Sequence, residues 1–228
     1  MDLTYFGHST FQIETDDGTT LLFDPFFEEN PHTETTADDV HPDVVLQTHA
    51  HFDHFSDTEH VLAGADDPLF IANFEIMQYV GQEYGHENVQ PLNEGGSIDM
   101  DWGYVEAVHA RHSSSFPDGS YGGVPLGFVL ELGDQVVYNA GDTAPFAEMQ
   151  WVGDLWEVDV MLAPIGDVFT MGIYGALHAA EMVGPDLVVP LHYDTFPPIE
   201  TDLEHFVETF EDAGYDTKVF DADETATL

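Results

Sequence analysis

The sequence contains no cysteine. This absence excludes disulfide bonds, thiolate metal sites and cysteine nucleophiles, so any metal ion must be held by histidine and carboxylate side chains. Long apolar runs are missing too, because no stretch approaches the ~18 apolar residues of a membrane-spanning helix. The N-terminal stretch Met1–Tyr5 has no basic region and no apolar core, so we expect no signal peptide.

Basic residues are almost absent. Only Arg111 and Lys218 stand against 45 acidic residues, and the formal net charge at pH 7 is −43. Such a charge opposes compaction, and two basic side chains cannot form an ion-pair network that offsets it. We therefore expect a cytoplasmic protein of an organism that keeps molar salt inside its cells, where the charges are screened. The same charge predicts that neither nucleic acid nor an anionic membrane is a partner.

Enough apolar residues are present for a sizeable core. Of the 228 residues, 43% are hydrophobic and 13% aromatic, which excludes a disordered acidic tail. No linker rich in proline or glycine divides the chain, and the polar run Glu28–Asp43 is interpreted as a loop. We therefore predict one domain over residues 1–228.

Hydrophobic patterning predicts strands first and strand–helix units later. The early segments are the strands Thr10–Thr15, Thr19–Asp24 and Asp43–Thr48, a helix within Ala65–Tyr84, and hairpins over Ser97–Ala110 and Gly127–Tyr138. The later segments are the helices Ala144–Trp156, Gly175–Val183 and Thr201–Ala213 and the strands Asp159–Pro164, Leu187–Leu191 and Thr217–Phe220, with Thr201 as a helix N-cap. This order predicts a layered α/β (α+β) fold.

The densest group of potential metal ligands lies in the segment Thr48–His54, directly after an apolar strand. His49 and His51 are two residues apart, so an extended chain places both imidazoles on one face. A turn would then bring Asp53 and His54 beside them. Three nitrogens and one oxygen suit zinc, and also manganese or iron. The alternative is a solvated histidine-rich loop, but H-x-H-x-D-H directly after a buried strand favours a metal site.

Further ligands are expected at the ends of other strands, because this segment alone cannot complete a pair of metal sites. Three side chains fit, each at the carboxyl end of a predicted strand: His112, Asp142 and His192. His109 is a rival to His112, but it precedes the loop, and we therefore favour His112.

Short motifs, most of which contain a histidine or an aspartate, are spread along nearly the whole chain. They are Gly7-His8-Ser9, Asp24-Pro25-Phe26, His49–His54, His112-Ser113-Ser114, Gly141-Asp142-Thr143, Phe169-Thr170-Met171-Gly172 and His192-Tyr193-Asp194-Thr195-Phe196-Pro197. Together they resemble the metallo-β-lactamase fold superfamily, and the H-x-H-x-D-H element is the most specific of them. Within the superfamily, the chain looks most like small metal-dependent hydrolases of unassigned substrate related to ascorbate-phosphate lactonase.

The resemblance implies a four-layer αββα sandwich with two divalent metal ions at one edge of the sheets. Zinc is the first choice, with manganese, nickel or iron as alternatives. The first ion would be held by His49, His51 and His112, and the second by Asp53, His54 and His192. Asp142 would bridge the two ions.

The expected reaction is hydrolysis of a small-molecule ester, lactone or phosphate ester. Two ions ~3.5–4 Å apart can share one water and lower its pKa toward ~7, which gives hydroxide at neutral pH. Asp142 would fix the separation of the ions, and Asp53 could orient the water or accept a proton. We expect His8 beside the site, as a supporting group or substrate contact, with a packed structural role as the alternative.

Two other functions stay open at this stage. One is a nuclease or phosphodiesterase of the same fold, although the charge of −43 disfavours polymeric substrates. The other is a metal-binding protein without turnover, which would have a closed coordination shell instead of an open position. The sequence does not predict the oligomeric state.

Arg111 and the serines near it are weaker candidates. Strand alternation would send Arg111 to the face opposite His112, which disfavours contact with the substrate. Ser113, Ser114 and Ser115 lack the G-x-S-x-G elbow of serine hydrolases, so we interpret them as loop hydroxyls or as hydrogen-bond partners of ligands.

Overall fold

The chain is described here by a computed structural model that covers all 228 residues. The strands are β1 (Asp2–Gly7), β2 (Thr10–Glu14), β3 (Thr20–Phe23), β4 (Val44–Leu46), β5 (Leu69–Ala72), β6 (Val89–Pro91), β7 (Ser97–Met100), β8 (Gly103–His109), β9 (Leu126–Leu132), β10 (Gln135–Asn139), β11 (Val160–Pro164), β12 (Leu187–Leu191), β13 (Asp216–Thr217) and β14 (Glu224–Thr227). The helices are α1 (Phe52–Phe55), α2 (Thr58–Gly64), α3 (Phe74–Tyr79), α4 (Met149–Leu155), α5 (Ile173–Val183) and α6 (Leu203–Ala213).

The strands form two seven-stranded sheets. The first has the order β14-β1-β2-β3-β4-β5-β6, and the second has the order β13-β12-β11-β10-β9-β8-β7. Neighbouring strands are parallel from β3 to β6 and from β10 to β13, while the remaining pairs are antiparallel. The parallel strands of each sheet therefore end at a common edge, where loops can bring distant side chains together.

The central core lies between the two sheets and takes apolar side chains from both. Phe11 and Phe23 of the first sheet stack with ring centroids 4.4 Å apart, and Phe128 of the second sheet lies 6.3 Å from Phe23. All three rings are fully buried. Their burial against one another removes apolar surface from water and joins the sheets face to face.

Helices cover the outer face of each sheet. Phe55, Val61 and Ile76 of α1, α2 and α3 pack on the first sheet. Met149 of α4 and Phe206 of α6 pack on the second, together with the alanines of α5. These layers confirm the predicted αββα sandwich.

The predicted helix over Ala65–Tyr84 is wrong in its first half. Leu69–Ala72 forms the strand β5, and the helix begins only at Phe74. Phe70 and Ile71 are buried on opposite faces of the sheet, so their continuous apolar run reflects a doubly covered strand and not a helical stripe. The Asn73 side chain, which accepts a hydrogen bond from the Ile76 amide, fixes where the helix starts.

Three further sequence predictions need correction. Asp202, not Thr201, caps α6, because its side chain accepts a hydrogen bond from the amide of His205. The last predicted strand shrinks to the two residues of β13. The edge strand β14 was not predicted; it pairs with β1 through a register that joins Asp2 to Thr227. Contacts between the two chain ends leave no local sequence signal.

No helix is both long and apolar enough to cross a membrane.

Candidate metal centre

Histidines and aspartates from six strand ends meet at one edge of the sandwich. His8 follows β1, Asp24 follows β3, His49–His54 follow β4, His112 follows β8, Asp142 follows β10 and His192 follows β12. His51 is the residue before α1, so the short helix turns Asp53 and His54 back toward His49. The converging loops thus bring together every metal ligand predicted from the sequence.

Three imidazoles form a first group of potential ligands. The Nε2 atom of His49 lies 3.0 Å from Nδ1 of His51, and Nε2 of His112 lies 3.3 Å from the same Nδ1. One donor atom from each of these side chains lies within 4.8 Å of the others. Three nitrogens at this spacing can share one cation.

A second group lies beside the first. It contains His8, Asp53, His54 and His192, whose donor atoms also lie within 4.8 Å of one another. The Oδ2 atom of Asp53 is 3.1 Å from Nε2 of His8 and 3.9 Å from Nε2 of His192.

Asp142 lies between the two groups. Its Oδ2 atom is 3.1 Å from Nε2 of His192 and 3.4 Å from Nε2 of His54, both in the second group. The same oxygen is 3.5 Å from Nε2 of His112 and 3.9 Å from Nε2 of His49, both in the first group. One carboxylate oxygen therefore contacts ligands from both groups.

The electrostatics of the site depend on these contacts. Burial alone would raise the pKa of Asp142, but the imidazoles of His192 and His54 hold it well below its usual range. Burial and the neighbouring His54 lower the pKa of His49, and burial also lowers the pKa of His51 and His112. The first group is therefore neutral near pH 7, and neutral imidazole is the form that binds a metal ion.

Several donor atoms in the cluster lack any partner. Nε2 of His54, Nδ1 of His192 and Oδ1 of Asp142 are buried without a hydrogen bond. Such groups are costly to leave unpaired, and a cation could be bound by Nε2 of His54 and by the Asp142 carboxylate at once. The residues present therefore fit divalent metal ions.

Comparison with known proteins assigns the family. The sequence pattern described as Beta-lactamase superfamily domain matches residues 2–192. The chain belongs to this superfamily. A UPF0173 metal-dependent hydrolase from Salinibacter ruber is 77% identical over 228 residues, with both chains fully covered, and one from Thermus thermophilus is 43% identical over 94% of this chain and 93% of the relative. The chain is therefore also a member of the UPF0173 family.

A solved structure supports the same assignment. A metallo hydrolase from the hyperthermophilic archaeon Ignicoccus hospitalis matches with a TM-score of 0.89 and 38% sequence identity, covering 100% of this chain and 97% of that chain. The predicted resemblance to the metallo-β-lactamase superfamily is confirmed. The narrower link to ascorbate-phosphate lactonase stays a prediction.

His8 of this superfamily member lies against the cluster and away from solvent. Its Nε2 atom is 3.1 Å from Oδ2 of Asp53, and its Nδ1 atom is 2.9 Å from Oγ1 of Thr195. The side chain is fully buried, and burial together with the neighbouring His192 lowers its pKa to about 3. His8 therefore positions the Asp53 carboxylate in this structure and does not face an approaching substrate.

Asp24 is a site residue to which the sequence analysis gave no role. It is fully buried, and its Oδ2 atom accepts hydrogen bonds from Nδ1 of His54 at 2.8 Å and from Oγ1 of Thr48 at 2.6 Å. The bond to Nδ1 turns Nε2 of His54 toward Asp142. Its position directly after β3 is the same strand-end signal that identified Asp142 and His192, and could have revealed it.

Replacing Asp24 by asparagine is expected to lower metal affinity about 10–100-fold. The substitution keeps the shape of the side chain at position 24 but removes the negative charge that orients His54. Titration of the metal-free protein against a competing chelator measures the change. The matched control is Asp16→Asn, since Asp16 is an exposed carboxylate far from the cluster. Equal metal affinity in Asp24→Asn and the wild type would show that Asp24 does not support the site.

The remaining candidates lie outside the cluster. Arg111 and His109 line a groove of about 610 Å³ between β8 and α4, on the outer face of the second sheet. Nδ1 of His109 lies 3.1 Å from Oε2 of Glu94, so His112 and not His109 joins the cluster. Ser114 donates a hydrogen bond to the carbonyl of Gly122 at 2.8 Å, as expected of a loop hydroxyl.

Proposed function

We propose that this chain is a binuclear metal-dependent hydrolase of small esters, lactones or phosphate esters. The observation that carries the proposal is the position of Asp142, whose single Oδ2 atom lies within 3.9 Å of imidazoles from both ligand groups. A carboxylate between two sets of nitrogen ligands is the arrangement that a bridged pair of cations needs.

The ligands would divide as the two groups do. His49, His51 and His112 would hold the first ion, and Asp53, His54 and His192 the second, with Asp142 shared between them. When bound, divalent ions supply Lewis acidity to a substrate oxygen and lower the pKa of a coordinated water. Zinc is the ion we favour, because it accepts nitrogen and oxygen ligands in this ratio.

The protein groups at the site have separate tasks. Asp142 and Asp53 would contribute two negative charges, which would offset part of the charge of two divalent ions. His8 keeps the Asp53 carboxylate in one orientation through the 3.1 Å contact, so that Asp53 can orient a water or accept its proton. Burial would raise the pKa of Asp53, but the hydrogen bond from His8 holds it below its usual range, in the ionised form.

A catalytic function is favoured over a closed, purely structural metal site. The side chains of His112 and Asp53 are 14% and 15% exposed, whereas His49, His54 and His192 are buried. A solvent-facing side of the cluster leaves room for an open coordination position and for a substrate.

We further propose a setting for this activity. Residues 1–228 act as one domain, because the core between the sheets includes residues from Leu3 to Phe220. The partner is a small-molecule substrate and neither nucleic acid nor membrane, and the compartment is a cytoplasm with molar salt. The net charge of −43 supports the salt-rich compartment and the absence of nucleic-acid and anionic-membrane partners.

Metal removal tests the proposed function. The protein purified in 2 M KCl is expected to hold two equivalents of metal and to hydrolyse at least one member of an ester, lactone and phosphodiester panel. Dialysis against a chelator should reduce the rate to below a hundredth, and one added divalent metal should restore it. Unchanged turnover after complete metal removal, verified by elemental analysis, would contradict the proposal.

A further inference from the structure

A wall of three phenylalanine rings borders the second ligand group. Phe26, Phe52 and Phe196 form this aromatic wall, with centroids 6.1, 6.3 and 6.0 Å apart for the three pairs. The rings of Phe26 and Phe196 are each 5.5 Å from the ring of His8. The wall therefore packs directly on the side chain that holds the Asp53 carboxylate.

Phe52 is the member of the wall that faces solvent. Phe26 is fully buried, whereas Phe52 is 44% exposed. Phe52 stands in the chain between His51 and Asp53, which both belong to the ligand groups, and it is the first residue of α1. A large exposed ring beside the solvent-facing carboxylate offers apolar surface where a bound substrate would lie.

A second apolar element rises from the same edge of the sandwich. The loop after β11 carries Val168 and Phe169, which are 65% and 55% exposed. Its base packs on the backbone of His192, because a Cβ atom at Gly166 would clash with the carbonyl oxygen of His192. Val168 has a φ of 44°, which is strained for a β-branched residue. Such strain persists only where surrounding contacts fix the backbone.

The whole chain has only two basic side chains, Arg111 and Lys218. Nζ of Lys218 pairs with Glu224 at 2.6 Å, and Arg111 lines the groove on the outer face of the second sheet. Lys218 is thus engaged in an ion pair, and Arg111 lines a groove that contains none of the residues of the two ligand groups. The side chains that border the second ligand group offer apolar rings and carboxylates, which favours an uncharged substituent over an anionic one.

We propose that Phe52 and Phe196 form an apolar binding subsite that takes an uncharged aryl or alkyl group of the substrate, next to the bond that is cleaved. Phe52 is then a specificity-determining residue. The inference rests on the proposed metal-dependent hydrolase function and adds to it the chemical class of the group that is bound.

Binding of metal-chelating hydroxamates tests the subsite without relying on turnover. Acetohydroxamate and benzohydroxamate present the same chelating group and differ in the apolar part. Their affinities for the metal-loaded protein are measured by calorimetry in 2 M KCl, for the wild type, Phe52→Ala, Phe52→Leu and the control Leu155→Ala. Leu155 is 70% exposed at the end of α4, away from the cluster.

The wild type and Leu155→Ala are expected to bind benzohydroxamate at least about tenfold more tightly than acetohydroxamate. Phe52→Ala should lose most of this preference with unchanged affinity for acetohydroxamate, and Phe52→Leu should keep part of it. The subsite would be overturned if the wild type bound the two hydroxamates with equal affinity, or if Phe52→Ala kept the full preference for benzohydroxamate. Either result would leave the hydrolase function standing. If neither hydroxamate binds, the hydrolase function and the subsite are both rejected.

Discussion

Replacing Asp142 by alanine is expected to lower kcat/KM at least about 10³-fold and to release at least one of two metal equivalents. A loss of this size corresponds to roughly 4 kcal/mol of transition-state stabilisation. The reason is that Oδ2 of Asp142 lies within 3.9 Å of Nε2 atoms of four histidines in two ligand groups. In the proposed binuclear site, its removal would take away both a shared ligand and the buried negative charge that offsets two cations.

The measurements are elemental analysis after dialysis and steady-state kinetics on the substrate identified by the panel. Asp142→Asn keeps one oxygen donor but no charge, so it should retain more metal than the alanine variant and little activity. The control is Asp212→Ala, an exposed carboxylate on α6 that should behave as the wild type. A folded Asp142→Ala protein with two metal equivalents and full activity would contradict the bridging role.

Dilution from 2 M to 0.1 M KCl is expected to unfold the protein. Forty-three net negative charges share 9737 Å² of accessible surface, and only Asp24, Asp57 and Asp142 among the acidic residues are buried. Neighbouring surface charges are therefore roughly 15 Å apart, compared with a Debye length of about 10 Å at 0.1 M and about 3 Å at 1 M.

Whether the protein unfolds depends on how the electrostatic repulsion between its surface charges compares with its net stability. With about four neighbours per charge, screened repulsion sums to roughly 5 kcal/mol at 0.1 M and to about 0.2 kcal/mol at 1 M. A domain has only about 5–15 kcal/mol of net stability, so the lower salt removes much of it. The Lys218–Glu224 ion pair and the N-terminal amine near Asp16 cannot compensate.

Circular dichroism across a KCl series measures this transition. A matched variant carries Glu204→Lys, Glu208→Lys and Glu211→Lys on the exposed face of α6, which lowers the net negative charge by six. It should stay folded at lower salt than the wild type, whereas the corresponding glutamine variant should shift the midpoint about half as far. An unchanged spectrum of the wild type at 0.1 M would reject the dependence on molar salt.

Much of the site was predictable because its ligands follow strands that local patterning identifies. The continuous apolar run Val44–Leu46 predicted a buried strand, and His49, His51, Asp53 and His54 follow it at once. The same logic located His112, Asp142 and His192 at other strand ends. Asp24 has the same strand-end position, but its role is to orient His54, which lies thirty residues away in sequence, and that contact leaves no local signal.

Local patterning failed where long-range pairing decides the structure. Phe70 and Phe74 have helical spacing, but Phe70 belongs to β5 because its neighbours β4 and β6 complete its hydrogen bonds. The strand β14 exists because β1 lies beside it, more than two hundred residues away.

The sequence alone determined three things: any metal ligands are limited to nitrogen and oxygen donors, negative charge predominates, and strands and helices form a layered α/β fold. These follow from composition and from periodicity, which are local properties of the chain, whereas the αββα order of the layers came from the resemblance to a known family. Only the tertiary structure decided that one oxygen of Asp142 contacts two ligand groups, that Asp24 and His8 support them, and that Phe52 stands exposed beside them. Those relations depend on distances between residues from separate strands, and such distances are set by how the two sheets pack.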